Sequence, residues 1–182
     1  MSREEINITQ SFYANAVKKG IYLVLLYANR IPPHIGLMID DEFNALNVKG
    51  QELHVSGNAL LKNAGLRKIP VVFIKIRKHP VFSNTHLNES FAEQVKQFDK
   101  VNANGNTCLS PIRLFFEEFY AIDKNKIKLI FDLLDELKKN DFIEETSGMN
   151  LGEMKQNIFY LQPYKEADLQ LQIESELKKM KS

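Results

Sequence analysis

The sequence has little of what several common classes of protein require. It contains one cysteine, Cys108, and no tryptophan in 182 residues. A single cysteine excludes an intrachain disulfide and a zinc site built from several cysteines. The longest apolar run, residues 21–28, is far shorter than the roughly 20 residues of a transmembrane helix. The first residues also lack the basic-then-apolar order of a secretion signal. We therefore expect a cytoplasmic protein with a reduced thiol and no transmembrane segment.

The chain also lacks an excess of positive or negative charge, because it has 24 Lys and Arg residues and 23 Asp and Glu residues. The first half of the chain is net basic and the second half is net acidic. This asymmetry is much weaker than the basic stripe of a dedicated nucleic-acid-binding protein. We therefore do not expect nucleic acid as a partner. The hydrophobic fraction of 44% is typical of an ordinary globular chain.

The domain organisation follows from the absence of repeats, low-complexity tracts and Pro/Gly/Ser-rich linkers. We expect a single α+β domain over residues 1–182, with a small antiparallel sheet packed against helices. Ser2 and Glu5 have the spacing of a capping box, which predicts an N-terminal helix over residues 1–20. Residues 21–120 would then form the core, and residues 121–182 would add C-terminal helices and a hairpin.

The strands of the predicted core come from short apolar runs at residues 21–28 and 69–76 and from a hairpin between them. In the hairpin, Asp40 and Asp41 form a two-residue loop. Antiparallel register then places Ile39 opposite Glu42, Leu37 opposite Asn44, and His34 opposite Asn47.

The predicted helices beyond residue 20 are amphipathic segments bounded by capping residues. They cover residues 57–65, 88–100, 110–120, 123–140 and 166–179. Ser110 suits the N-cap of the third of these helices and Pro111 its first position. Residues 142–145 and 157–161 resemble two strands that a Gly-containing turn joins into a hairpin.

Cys108 is the residue best placed for chemistry, since it lies where a polar loop runs into this third helix. The unpaired amides and the dipole of a helix N-terminus stabilise a thiolate. A nearby histidine can then serve as the base, and a third polar residue can orient the imidazole ring. His34 and Asn47 would supply these roles from adjacent strands. Asn44 replaces Asn47 if the hairpin loop is one residue longer.

Each candidate residue also has a purely structural interpretation. A lone cysteine is often a small buried hydrophobic residue, His34 can bond a carbonyl at the end of a sheet, and Asn47 can close a turn. We expect His54, His79 and His86 in loops or at strand ends on the surface. No pair of histidines has the spacing of metal ligands, so we expect neither a metal nor a cofactor.

The order of these motifs resembles that of a known family. A strand that begins His34-Ile-Gly-Leu37, a return strand, and then a cysteine at a helix start in Thr107-Cys108-Leu109 is similar to the circularly permuted NlpC/P60 papain-like proteins. That group includes the lecithin:retinol acyltransferase-like enzymes. The resemblance implies a papain-like core over residues 21–120, with Cys108 as nucleophile, His34 as base and Asn47 as the residue that orients the ring. Three features depart from the family: the Asn-Cys-Glu-His type of motif is absent, no second histidine lies on the return strand, and a proline, Pro111, comes soon after Cys108.

The resemblance implies acyl transfer on a peptide or acyl substrate with an amide, ester or thioester bond. Two other functions stay open. One is a non-catalytic interaction protein on the same scaffold, with an inert thiol. The other is a winged-helix regulator, because residues 133–161 resemble a helix that leads into a wing. That region is net acidic, which does not suit phosphate binding.

Overall fold

The computed structural model of the chain describes residues 3–12 and 19–182. The described part has the predicted α+β architecture, with an antiparallel sheet packed against helices. Its strands are β1 (Glu4–Asn7), β2 (Ile21–Leu26), β3 (His34–Ile39), β4 (Glu42–Asn47), β5 (Gly50–Ser56), β6 (Val71–Ile76), β7 (Ile143–Met149) and β8 (Ile158–Leu161). Its helices are α1 (Gly57–Leu66), α2 (Asn84–Lys96), α3 (Leu109–Tyr120), α4 (Ile130–Lys139) and α5 (Glu166–Lys181). Across these described residues, no helix is long and apolar enough to cross a membrane.

The main sheet has six strands in the order β5-β4-β3-β2-β6-β7. The central strand β2 is buried along its whole length, and its side chains alternate between the two faces. Leu23 and Leu25 enter a larger core with α2, α3 and α4. Tyr22 and Val24 enter a smaller core with α1. An apolar run without polar alternation is therefore what a strand covered on both faces requires.

The central hairpin is confirmed. β3 and β4 are joined by Asp40 and Asp41, and Ile39 pairs with Glu42 and Leu37 with Asn44. Asp40 has a positive φ of 53°, which short aspartate side chains tolerate in tight turns. The carboxylate of Asp40 also accepts the Gly20 amide at 2.9 Å, and this bond ties the turn to the start of β2.

The predicted N-terminal helix is wrong in the part of it that the structure describes. Glu4–Asn7 form β1, which pairs with β8 and places Ile6 opposite Phe159. Ile6 is buried in the larger core, so a long-range pairing overrides the local capping pattern. Ser2 and residues 13–18 lie outside the described residues.

The predicted C-terminal hairpin is also wrong, because its two strands pair with other partners. β7 pairs with β6 as the last strand of the main sheet, and β8 pairs with β1. Residues 133–161 therefore do not form the helix and wing of a winged helix. A short apolar run indicates a strand but does not identify its partner.

Three helix boundaries differ from those predicted. α2 begins at Asn84 because Ser83 is its N-cap and accepts the His86 amide. A short 3-10 turn, Lys124–Lys126, precedes α4, which begins only at Ile130. α3 begins at Leu109, ahead of the predicted N-cap Ser110. The helices at residues 57–65 and 166–179 are confirmed as α1 and α5.

Candidate functional site

The predicted site residues come together in one groove. Cys108, His34 and Asn47 all line a cavity of about 410 Å³ at the end of the sheet where β3 begins and β4 ends. His34 and Cys108 are distant in sequence. They come together because α3, which follows Cys108, packs on the sheet through Phe115 and Phe116 in the larger core. The fold therefore brings the only thiol of the chain beside the first residue of β3.

Cys108 is the N-cap residue of α3, and its side chain makes no capping hydrogen bond there. It is half-buried and packs against Leu46, Val101 and Ile173. Ser110 is not the N-cap, since its hydroxyl oxygen accepts the Thr107 amide at 2.9 Å inside the first turn. Because the helix begins before Ser110, the thiol lies at the positive end of the helix dipole.

His34 lines the same groove as Cys108 and bonds a carboxylate. Its Nε2 is 2.6 Å from Oε2 of Glu52, and the two side chains are only 21% and 33% exposed. Burial alone would lower the pKa of His34, but the side chains of Cys108 and Glu52 outweigh it and raise the pKa to about 9. The imidazole therefore holds its proton at neutral pH.

Glu52 is a site residue that the sequence did not indicate. Burial would raise the pKa of its carboxyl, but the hydrogen bond and charge of His34, with a further bond from Asn47, lower it on balance. Glu52 is therefore an ionised partner for the imidazolium. The signal for its strand was present: Asn47 and Gly50, which has a φ of 139°, form a turn that predicts a return strand after β4.

Asn47 was predicted to orient the His34 ring, but the contacts of its side chain are with the next turn and with Glu52. Its side-chain oxygen accepts the amides of Lys49 at 2.7 Å and Gly50 at 3.1 Å, which closes the turn between β4 and β5. The observed pairing of β3 with β4 ends at Gly36 and Ala45, before His34. The contact of Asn47 with the site runs through Glu52.

The alternative orienting residue and the other histidines lie outside this groove. Asn44 is fully buried and bonds Asn88 on α2. His54 lies within β5 and bonds Glu42, His79 lies 2.9 Å from the Phe119 carbonyl, and His86 lies within α2. In residues 3–12 and 19–182, no group of three or more His, Cys, Asp or Glu side chains is arranged to hold a metal.

One wall of the groove comes from α5. Leu169 and Ile173 of this helix line the groove beside Cys108, together with Leu46 and Val101 from the core side. The rim is polar and includes Arg30, whose guanidinium lies 4.1 Å from the centre of the Tyr27 ring. The space beside the thiol therefore has an apolar floor and a charged edge.

Comparison of the chain with protein-family models, with curated proteins and with solved structures finds no match. The groove brings together a thiol at a helix N-terminus, an imidazole whose pKa is raised and a carboxylate whose pKa is lowered.

Proposed function

We propose that the chain is a cysteine hydrolase or acyltransferase that acts on an amide, ester or thioester bond. Cys108 is the nucleophile and His34 is the acid and base. Glu52 orients the His34 ring and favours its protonated form. The observation that carries this proposal is that His34 and Cys108 line the same groove, where Nε2 of His34 lies 2.6 Å from the Glu52 carboxylate. A thiol that shares a groove with an imidazole, whose ring is bonded to a carboxylate, is the arrangement that we propose prepares a thiolate.

The proposed reaction has two halves. The Cys108 thiolate attacks the carbonyl carbon, and the Cys108 backbone amide at the start of α3 donates to the oxyanion that forms. His34 then gives its proton to the leaving amine, alcohol or thiol, and an acyl-thioester remains on Cys108. In the second half His34 takes a proton from water or another acceptor, which attacks the thioester and releases Cys108 as thiolate.

The same residues support a circularly permuted papain-like arrangement as the proposed fold. The chain order is His34, Glu52 and then Cys108, with the first two on strands and the third at a helix start. The orienting residue is a glutamate on β5, whereas the sequence predicted Asn47 on β4. An ionised partner stabilises an imidazolium more strongly than an amide does.

We propose a peptide or an acyl chain in the cytoplasm as the substrate. The apolar wall of Leu46, Val101, Leu169 and Ile173 would take an aliphatic or aromatic group next to the scissile carbonyl. The charged rim at Arg30 and Lys49 would face the polar part of the same molecule. A groove of about 410 Å³ is within the size range of small-molecule sites.

The test is the rate at which iodoacetamide alkylates Cys108 as a function of pH. In the wild type we expect alkylation at pH 6 to 7 at least about tenfold faster than in His34→Ala, because the reagent reacts with the thiolate that His34 stabilises. His86→Ala is the matched control, since His86 is exposed on α2. Equal rates in the wild type and in His34→Ala would contradict catalysis and favour the interaction protein with an inert thiol.

A further inference from the structure

Strand β5 contains one residue more than a regular ladder with β4 can hold. Phe43 pairs with Val55, but Ala45 pairs with Glu52. Leu53 and His54 therefore stand together opposite Asn44. His54 has a φ of 53°, a conformation that is uncommon for residues other than glycine. This is a β-bulge, and such bulges often turn side chains next to active sites.

The bulge decides which side chain of β5 meets His34. Directly paired residues share a face of a sheet, and alternate residues of one strand share it too. His34 shares its face with Gly36, and Gly36 pairs with Ala45. In a ladder continued without the bulge from Phe43 and Val55, Leu53 would stand opposite Ala45. Glu52 would then lie on the other face, away from the imidazole.

A buried amide holds the bulge in place. The side-chain oxygen of Asn44 accepts the His54 amide at 2.8 Å, and Asn44 itself is 0% exposed. Its Nδ2 donates to Asn88 at 3.1 Å. Asn88 in turn donates to the Glu42 carboxylate at 2.7 Å. The same carboxylate lies 2.8 Å from Nδ1 of the His54 ring. A buried amide is costly unless it is bonded, and here one of its bonds goes to the backbone of the bulge.

We propose that Asn44 is a positioning residue of the Cys108 site, because it fixes the bulge that turns Glu52 toward His34. The inference rests on the proposed function and adds to it a residue that lies outside the groove. Without the Asn44 acceptor, the His54 amide has to seek a partner in the ladder. A one-residue shift of β5 then exchanges Glu52 for Leu53 beside the ring.

The test compares Asn44→Leu, a near-isosteric change, with Glu52→Gln. For both variants we expect the NMR-measured pKa of His34 to fall from about 9 by a similar amount. We also expect alkylation of Cys108 at pH 6.5 to slow by a similar factor, about tenfold. Asn150→Ala is the matched control, because Asn150, like Asn44, is an amide side chain bonded to the backbone. It donates to the carbonyls of Ala64 and Ile69. This variant lowers stability but leaves both readouts unchanged.

A deletion supplies the rescue. Removing His54 from Asn44→Leu takes away the extra residue, so a regular ladder again places Glu52 opposite Ala45. We expect this double variant to recover the His34 pKa and the alkylation profile. The proposal is overturned if Asn44→Leu folds and keeps both, or if the deletion folds and restores neither. Asn44→Ala is measured alongside in case leucine does not fit. The His34 pKa reports on Glu52 even if Cys108 is inert, so failure of the proposed function is seen separately, in His34→Ala.

Discussion

His34 keeps its proton at a pH where an exposed histidine has lost it. Its pKa is raised from 6.5 to about 9 against the effect of burial, because the Cys108 and Glu52 side chains favour the charged ring. A pKa raised by folding contributes stability that is fully present below pH 6.5 and is lost as the pH rises through about 9. The proton on His34 therefore links the candidate site to the stability of the whole chain.

We predict that the difference in unfolding free energy between the wild type and His34→Gln shrinks as the pH rises from 6 to 9.5. The part of the difference that is lost between pH 6 and 9.5 should be about 3 kcal/mol, since each pKa unit is worth about 1.4 kcal/mol. Urea unfolding at several pH values measures it. Cys108→Ser is the companion variant and should lower the His34 pKa. A difference that stays constant with pH would mean that the two pairings do not hold the proton.

Helix α5 lines one wall of the groove, but few of its residues are buried. Ile173 is the one buried residue of α5, and it packs on Leu46 and Val101 beside Cys108. Leu171 on the same helix is 66% exposed. The hold of α5 on the groove therefore depends on Ile173 and its half-buried neighbours, and a charge at this position should release the helix.

We predict that Ile173→Asp increases the reaction rate of Cys108 with a bulky maleimide several-fold, while iodoacetamide gains much less. The carboxylate cannot be buried against Leu46 and Val101, so α5 moves off the groove and admits the larger reagent. Leu171→Asp places the same charge on the exposed side of α5 and should leave both rates unchanged. Should the two aspartate variants behave alike, α5 does not limit access to the thiol.

Elements defined by local signals could be predicted from the sequence, and elements defined by distant partners could not. The β3–β4 hairpin has its turn and its alternation within a few residues, so its register was predictable. β7 and β8 were recognisable as strands, but their partners β6 and β1 are distant in sequence. The same limit applies to the site: Cys108 and His34 carry local signals, whereas the facing of Glu52 depends on a bulge that alternation does not reveal.

The site joins two parts of the molecule that are held by different cores. Phe115 is fully buried where α3 packs on the sheet in the larger core, with the Phe91 ring centre at 5.5 Å. Phe73 is equally buried in the smaller core on the α1 face of the sheet. Cys108 lies at the start of α3, so the larger core sets the position of the thiol on the sheet.

We predict that Phe115→Ala and Phe73→Ala each lower the free energy of unfolding by about 3 to 5 kcal/mol, but affect the site differently. Phe115→Ala loosens α3 on the sheet, so Cys108 moves relative to His34 and alkylation at pH 6.5 slows even where the protein is still folded. Phe73→Ala leaves the packing of α3 on the sheet intact and keeps the wild-type profile. Denaturant unfolding and alkylation below the transition measure the two effects separately. If both variants slowed alkylation equally, general loosening and not the position of α3 would govern the thiol.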